Sequence, residues 1–382
     1  MRLHAYFQSA ESILSQYDGA VPFAIWLKNY FKQNKKFGSR DRKVIARICF
    51  AYFRTGKALE NLPISERLQA AMTIIHPEKP QLRELLKPAW QELLDSPNRV
   101  TSILPQPSLI FSFAEEVSAE INEPAFFLSH LVLPDLFLRI RPGKKEVVQK
   151  KLQAAGIPFS MEDDCIRLSN ATKIDDVLLI DEEVVVQDKS SQQVLNGLQL
   201  QTPNAKPQTF TAWDCCAASG GKSILLHDHF PKAQLAVSDI RESILHNLRS
   251  RFKRAGISSY QSFVADVSSD NFRSSRKYDV VICDAPCSGS GTWGRTPEQL
   301  VFFQQERIAH YTSLQKSIAV NASKSLKEGG WFVYITCSVF KKENEDVVDY
   351  ILQNSALKLQ QQQYVKGYTQ KADTLFVSIF RL

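Results

Sequence analysis

Hydrophobic side chains in the first 125 residues recur every three or four positions, which is the period of a helix with one buried face. In the third such stretch, Ser39 is in position to serve as the N-cap. Val44, Ile48 and Tyr52 then fall on one face of that helix. The pattern predicts a helical domain over residues 1–128. Its six predicted helices cover residues 10–17, 21–33, 39–55, 65–75, 81–94 and 111–121.

From about residue 130 the pattern changes to short β-rich runs mixed with one helical stretch. A strand-like run over residues 133–142 is followed by a helix that Gly156 stops. Two further β-rich pieces end the segment. This order predicts a small α+β module of ferredoxin-like or RRM-like type over residues 129–200.

From about residue 205, strand-like and helix-like segments alternate almost to the end of the chain. Alternation of this kind predicts an α/β domain of the doubly wound, Rossmann-like type, with helices on both faces of a parallel sheet. The last run, residues 373–382, follows without a crossover helix and fits an antiparallel addition to the sheet. We expect this third domain to cover residues 201–382.

The composition is that of an ordinary soluble globular protein, with 44% hydrophobic and 23% charged residues in a chain of 382. No apolar run approaches the roughly 20 residues that cross a bilayer, and the first residues show no signal-peptide pattern. We therefore expect a cytoplasmic monomer without a membrane partner. Seven cysteines, an odd number scattered over a long chain, indicate reduced thiols rather than a disulfide framework.

The positive charge of the chain is concentrated near its N-terminus. Residues 1–60 contain eleven Lys and Arg against four Asp and Glu, so their net charge of +7 equals that of the whole chain. This cluster fits a surface that follows a nucleic-acid backbone, or simply a solvated helix face, and charge alone does not choose between them. Its members are Lys28, Lys32, Lys35, Lys36, Arg40, Arg42, Lys43 and Arg47.

The first strand of the predicted Rossmann-like domain ends in a glycine turn, DCCAASGGKS, that leads into a helix. A phosphate-binding Walker loop would need glycine where this chain has Cys216, and no G-x-G-x-x-G is present, so a nucleoside triphosphatase and a dehydrogenase are both disfavoured. Asp239 stands 18 residues past Gly221, a spacing at which a carboxylate takes the hydroxyls of a ribose. Asp266 follows the next strand and suits an adenine.

Acids after each of the first three strands, with no phosphate cradle, favour S-adenosylmethionine as the cofactor, although each acid alone is more often a helix cap. The residues assigned to this site are Cys216, Ala217, Ala218, Ser219, Gly220, Gly221, Lys222, Asp239, Arg241, Asp266 and Asp284.

Two further strand-like runs end in a cysteine, Cys287 in DAPCSG and Cys337 in YITCS. Because the two strands are expected to be neighbours, the two thiols can face one pocket. A zinc site is the competing interpretation, but there is no C-x-x-C pair and no nearby His, so no metal is predicted. Two thiols beside a methyl donor favour covalent catalysis on an electron-poor ring.

Four motifs, in this order and spacing, resemble the RNA cytosine carbon-5 methyltransferases of the Sun/Nop family. The resemblance covers roughly residues 130–382 and rests on DCCAASGGKS, DAPCSGSGTWGRTPE, GGWFVYITCSV and KKENEDVV. In addition, FGSRDRKVIARICFAYFR resembles a helix of the NusB-like RNA-binding domain. Three features depart from the family pattern: Ser219 in place of Pro, DTLF in place of D-G-F-F, and the loop GTWGRTPE.

The resemblance implies that Cys337 is the nucleophile that attacks carbon-6 of cytosine and that Cys287 assists product release. It also implies that Asp284 binds the cytosine edge and that Lys222 lies by the base or by the carboxylate of the cofactor. Arg295 is expected to contact phosphate or base. Arg40, Arg42 and Lys43 are the remaining candidate RNA-binding residues.

The implied substrate is a cytosine in single-stranded or flipped-out RNA, most simply small-subunit ribosomal RNA. Two alternatives stay open at this point. One is a transfer RNA cytosine-5 methyltransferase, and the other is a ribosome-assembly RNA-binding factor that keeps the fold but has little turnover.

Overall fold

The computed structural model describes residues 2–76, 86–198 and 209–382, and the chain divides into two compact units. The boundary expected at residues 200 and 201 lies outside the described residues. The helical unit comprises Met1–Val117, Asn122–Leu133 and Thr292–Gln305. The α/β unit comprises Ser118–Ile121, Pro134–Gly291 and Glu306–Leu382.

The helical unit contains α-helices and short 3-10 turns, as the periodicity predicts. Gly38, not Ser39, caps the third helix, because the Gly38 N–H donates to Asp41 Oδ2 at 2.9 Å and Ser39 is already the first helical residue. The α-helices are Arg2–Leu14, Phe23–Gln33, Ser39–Arg54, Ile64–Ile75, Pro88–Leu94, Arg99–Ile103, Glu123–Ser129 and Gln299–Phe302, and the 3-10 turns are Pro107–Ile110 and Ala114–Glu116.

Two of the six predicted helices are described in the structure over no more than half of their expected length. Residues 81–85 of the helix expected over 81–94 lie outside the described residues. In the rest of that range, Pro88–Leu94 is helical. The helix expected over 111–121 is wrong, since this segment forms only a 3-10 turn. The Ser118 N–H donates instead to the carbonyl of Val339 at 3.0 Å, so the backbone there pairs with another loop rather than continuing a helix.

The core of the helical unit is a cluster of aromatic rings. The Phe23 ring lies 4.9 Å from Tyr17 and 4.8 Å from Phe53, centroid to centroid, in edge-to-face contacts. Phe302 contributes a further ring, 5.1 Å from Tyr17. Residues 292–305 therefore belong to this core although more than 150 residues of the chain separate them from the preceding helical segment.

Two buried charged groups fix the 292–305 segment within the helical unit. The Arg54 guanidinium donates to the carbonyls of Gly294 at 2.8 Å and His130 at 3.0 Å. The Glu298 carboxylate accepts the N–H of Phe23 at 3.0 Å. The sequence pattern from residue 298 to 326 predicts a single helix, which is wrong: the helix is broken at Phe303, whose buried ring packs in the helical unit.

A four-stranded antiparallel sheet opens the α/β unit. Its strands are β1, Leu136–Ile140; β2, Ser160–Glu162; β3, Cys165–Leu168; and β4, Val184–Val186, with one helix, Lys145–Ala154, after β1. The strand order is β2-β3-β1-β4, which is the order of a ferredoxin-like sheet. The connection from β3 to β4 is built of turns and lacks the second helix of a complete ferredoxin-like unit.

A seven-stranded sheet forms the rest of the α/β unit, in the order β10-β11-β9-β8-β5-β6-β7. Strands β5 to β9 are parallel, as the alternating pattern predicts, and β11 is the antiparallel addition. The strands are β5, Thr211–Asp214; β6, Gln234–Asp239; β7, Tyr260–Val264; β8, Tyr278–Asp284; β9, Leu326–Thr336; β10, Lys358–Lys366; and β11, Thr374–Arg381. The helices are Lys189–Gln192, Gly221–His229, Glu242–Arg254, Glu306–Ser323 and Glu345–Asn354.

A buried ion-pair cluster joins the small sheet to helix Gly221–His229, which follows β5 of the large sheet. The Asp228 carboxylate accepts from Arg139 and from Arg141, each at 2.6 Å, and it is almost fully buried. Burial alone would raise the pKa of Asp228, but hydrogen bonds and the two guanidinium groups hold it well below its usual value. The cluster therefore holds its carboxylate ionised.

Candidate cofactor and catalytic site

A cavity of about 380 Å³ opens at the carboxyl ends of β5, β6, β8 and β9, where open α/β sheets bind their ligands. A volume of this size suits a small organic ligand. Eight of the residues expected at the site line it: Cys216, Ala218, Asp239, Arg241, Asp266, Asp284, Cys287 and Cys337.

The glycine turn after β5 lies beside this cavity rather than wholly within its wall. Gly220 has a φ of +84°, and a Cβ there would lie 2.8 Å from the Phe252 ring, so only glycine fits. The Ala217 N–H donates to the carbonyl of Ser238 at 2.9 Å. Ser219, where the family has Pro, accepts a hydrogen bond from Arg251 at 3.1 Å. Ala217, Ser219, Gly220, Gly221 and Lys222 support the turn and do not line the cavity.

The Asp239 carboxylate is the polar anchor of one end of the cavity. Its Oδ2 accepts the N–H of Ala218 at 3.1 Å, and its Oδ1 accepts the N–H of Arg241 at 3.0 Å, which fixes its orientation. Asp266 is fixed in a similar way by the N–H of Ser268 at 3.0 Å. A carboxylate held in place at a strand end, with further oxygen lone pairs, fits the vicinal hydroxyls of a ribose.

These acids are surrounded by apolar side chains that were not predicted from the sequence. Ile240 and Val267 come from the loops after β6 and β7, and Leu314 and Ile318 come from helix Glu306–Ser323. Ile240 and Val267 each directly follow a candidate acid, which is a signal in the sequence, whereas the spacing of Leu314 and Ile318 shows only that they share a helix face. The described residues therefore fit an adenosyl ligand, with apolar contacts for the ring and carboxylates for the sugar. The other residues missed in the wall are Cys215, Ala265, Ser268, Ala285 and Pro286.

Lys222 and Asp284 form an ion pair at the catalytic end of the site. Lys222 Nζ lies 2.5 Å from Asp284 Oδ2, and the lysine is almost fully buried. Burial would lower the pKa of Lys222, but the negative charges of Asp284 and Cys337 outweigh it and raise the pKa above its usual value. The ammonium group therefore stays charged and fixes the carboxylate of Asp284.

Asp214, the last residue of β5, is a buried carboxyl group close to this pair. Its Oδ2 accepts from Ser223 Oγ at 2.6 Å, while Oδ1 has no hydrogen-bond partner within the described chain. Burial raises the pKa of Asp214 to about 7, despite the hydrogen bond from Ser223. The group is therefore largely neutral below neutral pH.

The two thiols meet as the sequence predicts, because β8 and β9 are neighbouring parallel strands. The Cys337 N–H donates to Cys287 Sγ at 3.3 Å. The Gly291 N–H donates to the carbonyl of Cys337 at 2.9 Å, which joins the two loops again. The contact with Cys337, together with burial, raises the pKa of Cys287 well above its usual value. The thiol of Cys287 is therefore harder to ionise than that of an isolated cysteine.

The remaining candidate residues lie in the helical unit. Arg40 and Lys43 are exposed at the start of helix Ser39–Arg54, and Arg42 Nε donates to the carbonyl of Phe37 at 2.9 Å. Arg295 is exposed in the 292–305 segment. No helix in the described ranges is long and apolar enough to cross a membrane. Nor do the described side chains bring together three His, Cys, Asp or Glu in a metal-binding arrangement.

Residues 202–377 match the sequence model of the family described as 16S rRNA methyltransferase RsmB/F. The ribosomal RNA small subunit methyltransferase B of Xanthomonas campestris pv. campestris is 30% identical over 61% of this chain and 54% of its own. The protein of the same name from Xylella fastidiosa strain Temecula1 is 29% identical over 64% of this chain and 57% of its own. The chain thus spans little more than half the length of these curated relatives.

Two solved structures share the fold. PH0851 superposes with a TM-score of 0.70 at 19% identity, over 100% of this chain and 98% of its own. NSun6 from Pyrococcus horikoshii, solved with SFG, superposes with a TM-score of 0.57 at 15% identity, over 68% of this chain and 94% of its own. Residues 202–377 of the chain are thus similar to the RsmB/F family of 16S rRNA methyltransferases.

Proposed function

We propose that this protein transfers a methyl group from S-adenosylmethionine to carbon-5 of a cytosine in RNA, and that its substrate is small-subunit ribosomal RNA. The observation that carries the proposal is that two cysteines meet in the wall of a ligand-sized cavity, where the backbone N–H of Cys337 donates to Cys287 Sγ at 3.3 Å. Methylation of a nitrogen needs no such pair, whereas carbon-5 of cytosine is too weakly nucleophilic to react unaided. The family match over 202–377 supports ribosomal RNA as the substrate.

S-adenosylmethionine, when bound, supplies an electrophilic methyl group on a sulfonium. The cavity offers it Asp239 for the ribose hydroxyls and Asp266 at the adenine end, with Ile240 and Val267 against the ring. With the adenosyl part held there, the methyl group would lie toward Cys287 and Cys337, which line the same cavity.

Covalent activation of the cytosine by Cys337 explains why the site contains a second thiol, that of Cys287. The Cys337 thiolate adds to carbon-6, and the electron pair displaced from the C5=C6 double bond makes carbon-5 nucleophilic toward the methyl group. The methylated adduct must then lose its carbon-5 proton. The C–H electron pair restores the double bond, and the C6–S pair returns to Cys337. Cys287 accepts this proton once it is ionised, which its raised pKa makes infrequent at neutral pH, and passes it to water.

Asp284 and Lys222 serve recognition of the base. The ammonium of Lys222 holds the carboxylate of Asp284 at 2.5 Å, and Asp284 lines the cavity beside the thiols. A carboxylate accepts a hydrogen bond from the amino group of cytosine. Uracil has a carbonyl in place of that amino group and is therefore disfavoured at this site.

RNA binding is proposed for the basic residues of the helical unit. Arg40 and Lys43 are exposed, and positive charge of this kind pairs with phosphates at a strength that falls with salt. Replacing both with Ala lowers RNA affinity and reduces the slope of log affinity against log salt by about 1.5. Lys366→Ala, on exposed strand β10, is the matched control and leaves both unchanged. A double variant with the wild-type salt slope contradicts this assignment.

Methylation with labelled S-adenosylmethionine tests the function directly. Unmodified 16S rRNA, 23S rRNA and transfer RNA are offered separately, and bisulfite sequencing locates the product. We expect 16S rRNA to be methylated, Cys337→Ala to abolish methylation, and Cys287→Ala to accumulate a protein–RNA adduct that runs as a shifted band on a denaturing gel. Methylation by Cys337→Ala refutes the assignment of the nucleophile. A transfer RNA product refutes the ribosomal substrate, and binding of RNA without turnover indicates an assembly factor.

A further inference from the structure

The loops that carry the two thiols are held by buried polar side chains that have no assigned part in the chemistry. Glu343, in the segment between β9 and the following helix, is fully buried. Its carboxylate accepts the N–H of Ser288 at 3.0 Å and the Ser288 hydroxyl at 3.2 Å. Ser288 directly follows Cys287, so this carboxylate fixes the backbone on one side of that thiol.

Gln315 fixes the backbone on the other side. Its side chain lies in helix Glu306–Ser323 and is fully buried. The Gln315 Nε2 donates to the carbonyl of Pro286 at 2.9 Å and lies 3.4 Å from Glu343 Oε2. The residues immediately before and after Cys287 are therefore each bound by one of two buried side chains that also contact each other.

The same network reaches the loop of Cys337 through Ser338. The Ser338 hydroxyl lies 3.2 Å from the hydroxyl of Ser288 and 3.1 Å from the hydroxyl of Ser290. Asn344, the residue after Glu343, donates to the Ser338 carbonyl at 2.9 Å. Residues 343 and 344 thus hold the two loops together, one residue to each loop.

We propose that Glu343, with Gln315, is a positioning residue that sets the place of the Cys287 thiol relative to Cys337 and thereby controls the release step. The inference rests on the proposed function, since it assigns Glu343 to the second half of that reaction. Cys337 follows directly on β9, whose hydrogen bonds to β8 and β11 fix it independently of Glu343. Loss of Glu343 therefore displaces Cys287 more than Cys337.

This asymmetry predicts a split between the two half-reactions. In Glu343→Gln the adduct still forms at close to the wild-type rate, because Cys337 keeps its position. Release slows by about 10- to 100-fold, since a misplacement of about 1 Å costs up to that much. Adduct therefore accumulates in Glu343→Gln as in Cys287→Ala. A merely structural role would lower adduct formation and turnover in proportion.

Rapid quenching with labelled RNA measures the two steps, as adduct on a denaturing gel and as released 5-methylcytosine. Glu345→Gln is the matched control: it is the same substitution two residues away, where the carboxylate bonds Ser118 and Tyr364 and touches neither cysteine loop. We expect wild-type kinetics from this control. Gln315→Met is the second variant, which removes the bond to Pro286 and is expected to show the same split as Glu343→Gln.

Three outcomes overturn the inference, given wild-type circular dichroism and S-adenosylmethionine binding. They are a Glu343→Gln protein that releases product at the wild-type rate, one that loses both steps equally, and a Glu345→Gln control that accumulates adduct. If Glu343→Gln does not fold, Gln315→Met decides by the same criteria. Failure of the proposed function is distinguishable, because Cys287→Ala would then accumulate no adduct. An adduct in Cys287→Ala with none in Glu343→Gln refutes only the positioning role.

Discussion

The buried carboxyl group of Asp214 makes the stability of the α/β unit depend on pH in a way that one substitution removes. Burial raises the pKa of Asp214 from 3.8 to about 7 in the folded protein. At pH 5 the folded protein holds this proton, whereas the unfolded chain does not. The stabilisation is therefore fully present below the unfolded pKa and is lost as the pH rises through the folded one.

The magnitude follows from the distance between pH 5 and the folded pKa. Each pH unit over which only the folded state holds the proton changes the free energy of unfolding by about 1.36 kcal/mol. Two such units lie between pH 5 and the folded pKa of about 7. The wild-type protein therefore loses about 3 kcal/mol more than Asp214→Asn between pH 5 and pH 8. Asn keeps an acceptor for the Ser223 hydroxyl, so the variant retains the local hydrogen bond.

Urea unfolding at pH 5, 6, 7 and 8, followed by circular dichroism, measures the difference in slope between the two proteins. Infrared difference spectra of the folded protein check it directly, through a protonated-carboxyl band that titrates near pH 7 and is missing in Asp214→Asn. Ser223→Ala is the control: its hydroxyl lowers the pKa of Asp214, so its removal shifts the transition to higher pH. Identical pH slopes for wild type and Asp214→Asn would refute the reasoning.

Three shorter predictions concern other positions. Gly291→Ala places a Cβ 2.0 Å from the carbonyl oxygen of Thr374, so we expect a cost of about 1–3 kcal/mol in urea unfolding and a loss of methylation. Asp228→Asn leaves Arg139 buried without its anion and costs about 3–5 kcal/mol near neutral pH, and the difference from wild type shrinks as the pH falls through the lowered pKa of Asp228. Product release in single-turnover assays accelerates as the pH rises above neutral, because the pKa of Cys287 is raised; a flat profile contradicts its role as the proton acceptor.

The parallel core of the fold could be predicted from the sequence because the patterns that mark its strands and helices are local. Each buried strand is a short apolar run, and each helix keeps its period, so β5 to β9 and the helices between them follow from the pattern. Three of the four strands of the small sheet were predictable for the same reason, but β2, with only three residues, was not. Strand β10 was not, because KLQQQQYVK has polar side chains over most of its length and is ordered by pairing with β11.

The candidate site was predictable as far as it consists of strand ends. Asp239, Asp284, Cys287 and Cys337 each follow a strand in the sequence, and parallel strands bring such ends to one edge of a sheet. Of the wall residues that were not predicted, Leu314 and Ile318 reach the site from another element, helix Glu306–Ser323. Leu314 comes from a helix whose position is decided by packing, and nothing in its neighbourhood in the sequence marks it as a cavity residue.

The sequence by itself determined the alternation of strands and helices, the acids after the strands and the presence of two strand-end thiols, because these depend on residue type and spacing along the chain. Only the tertiary structure decided that residues 292–305 pack into the helical unit through Arg54 and Glu298, and that Glu343 binds the loop beside Cys287. Both are hydrogen bonds between residues far apart in the chain. Such contacts form between buried polar groups that come together only when the core folds, and no local pattern in the sequence encodes them.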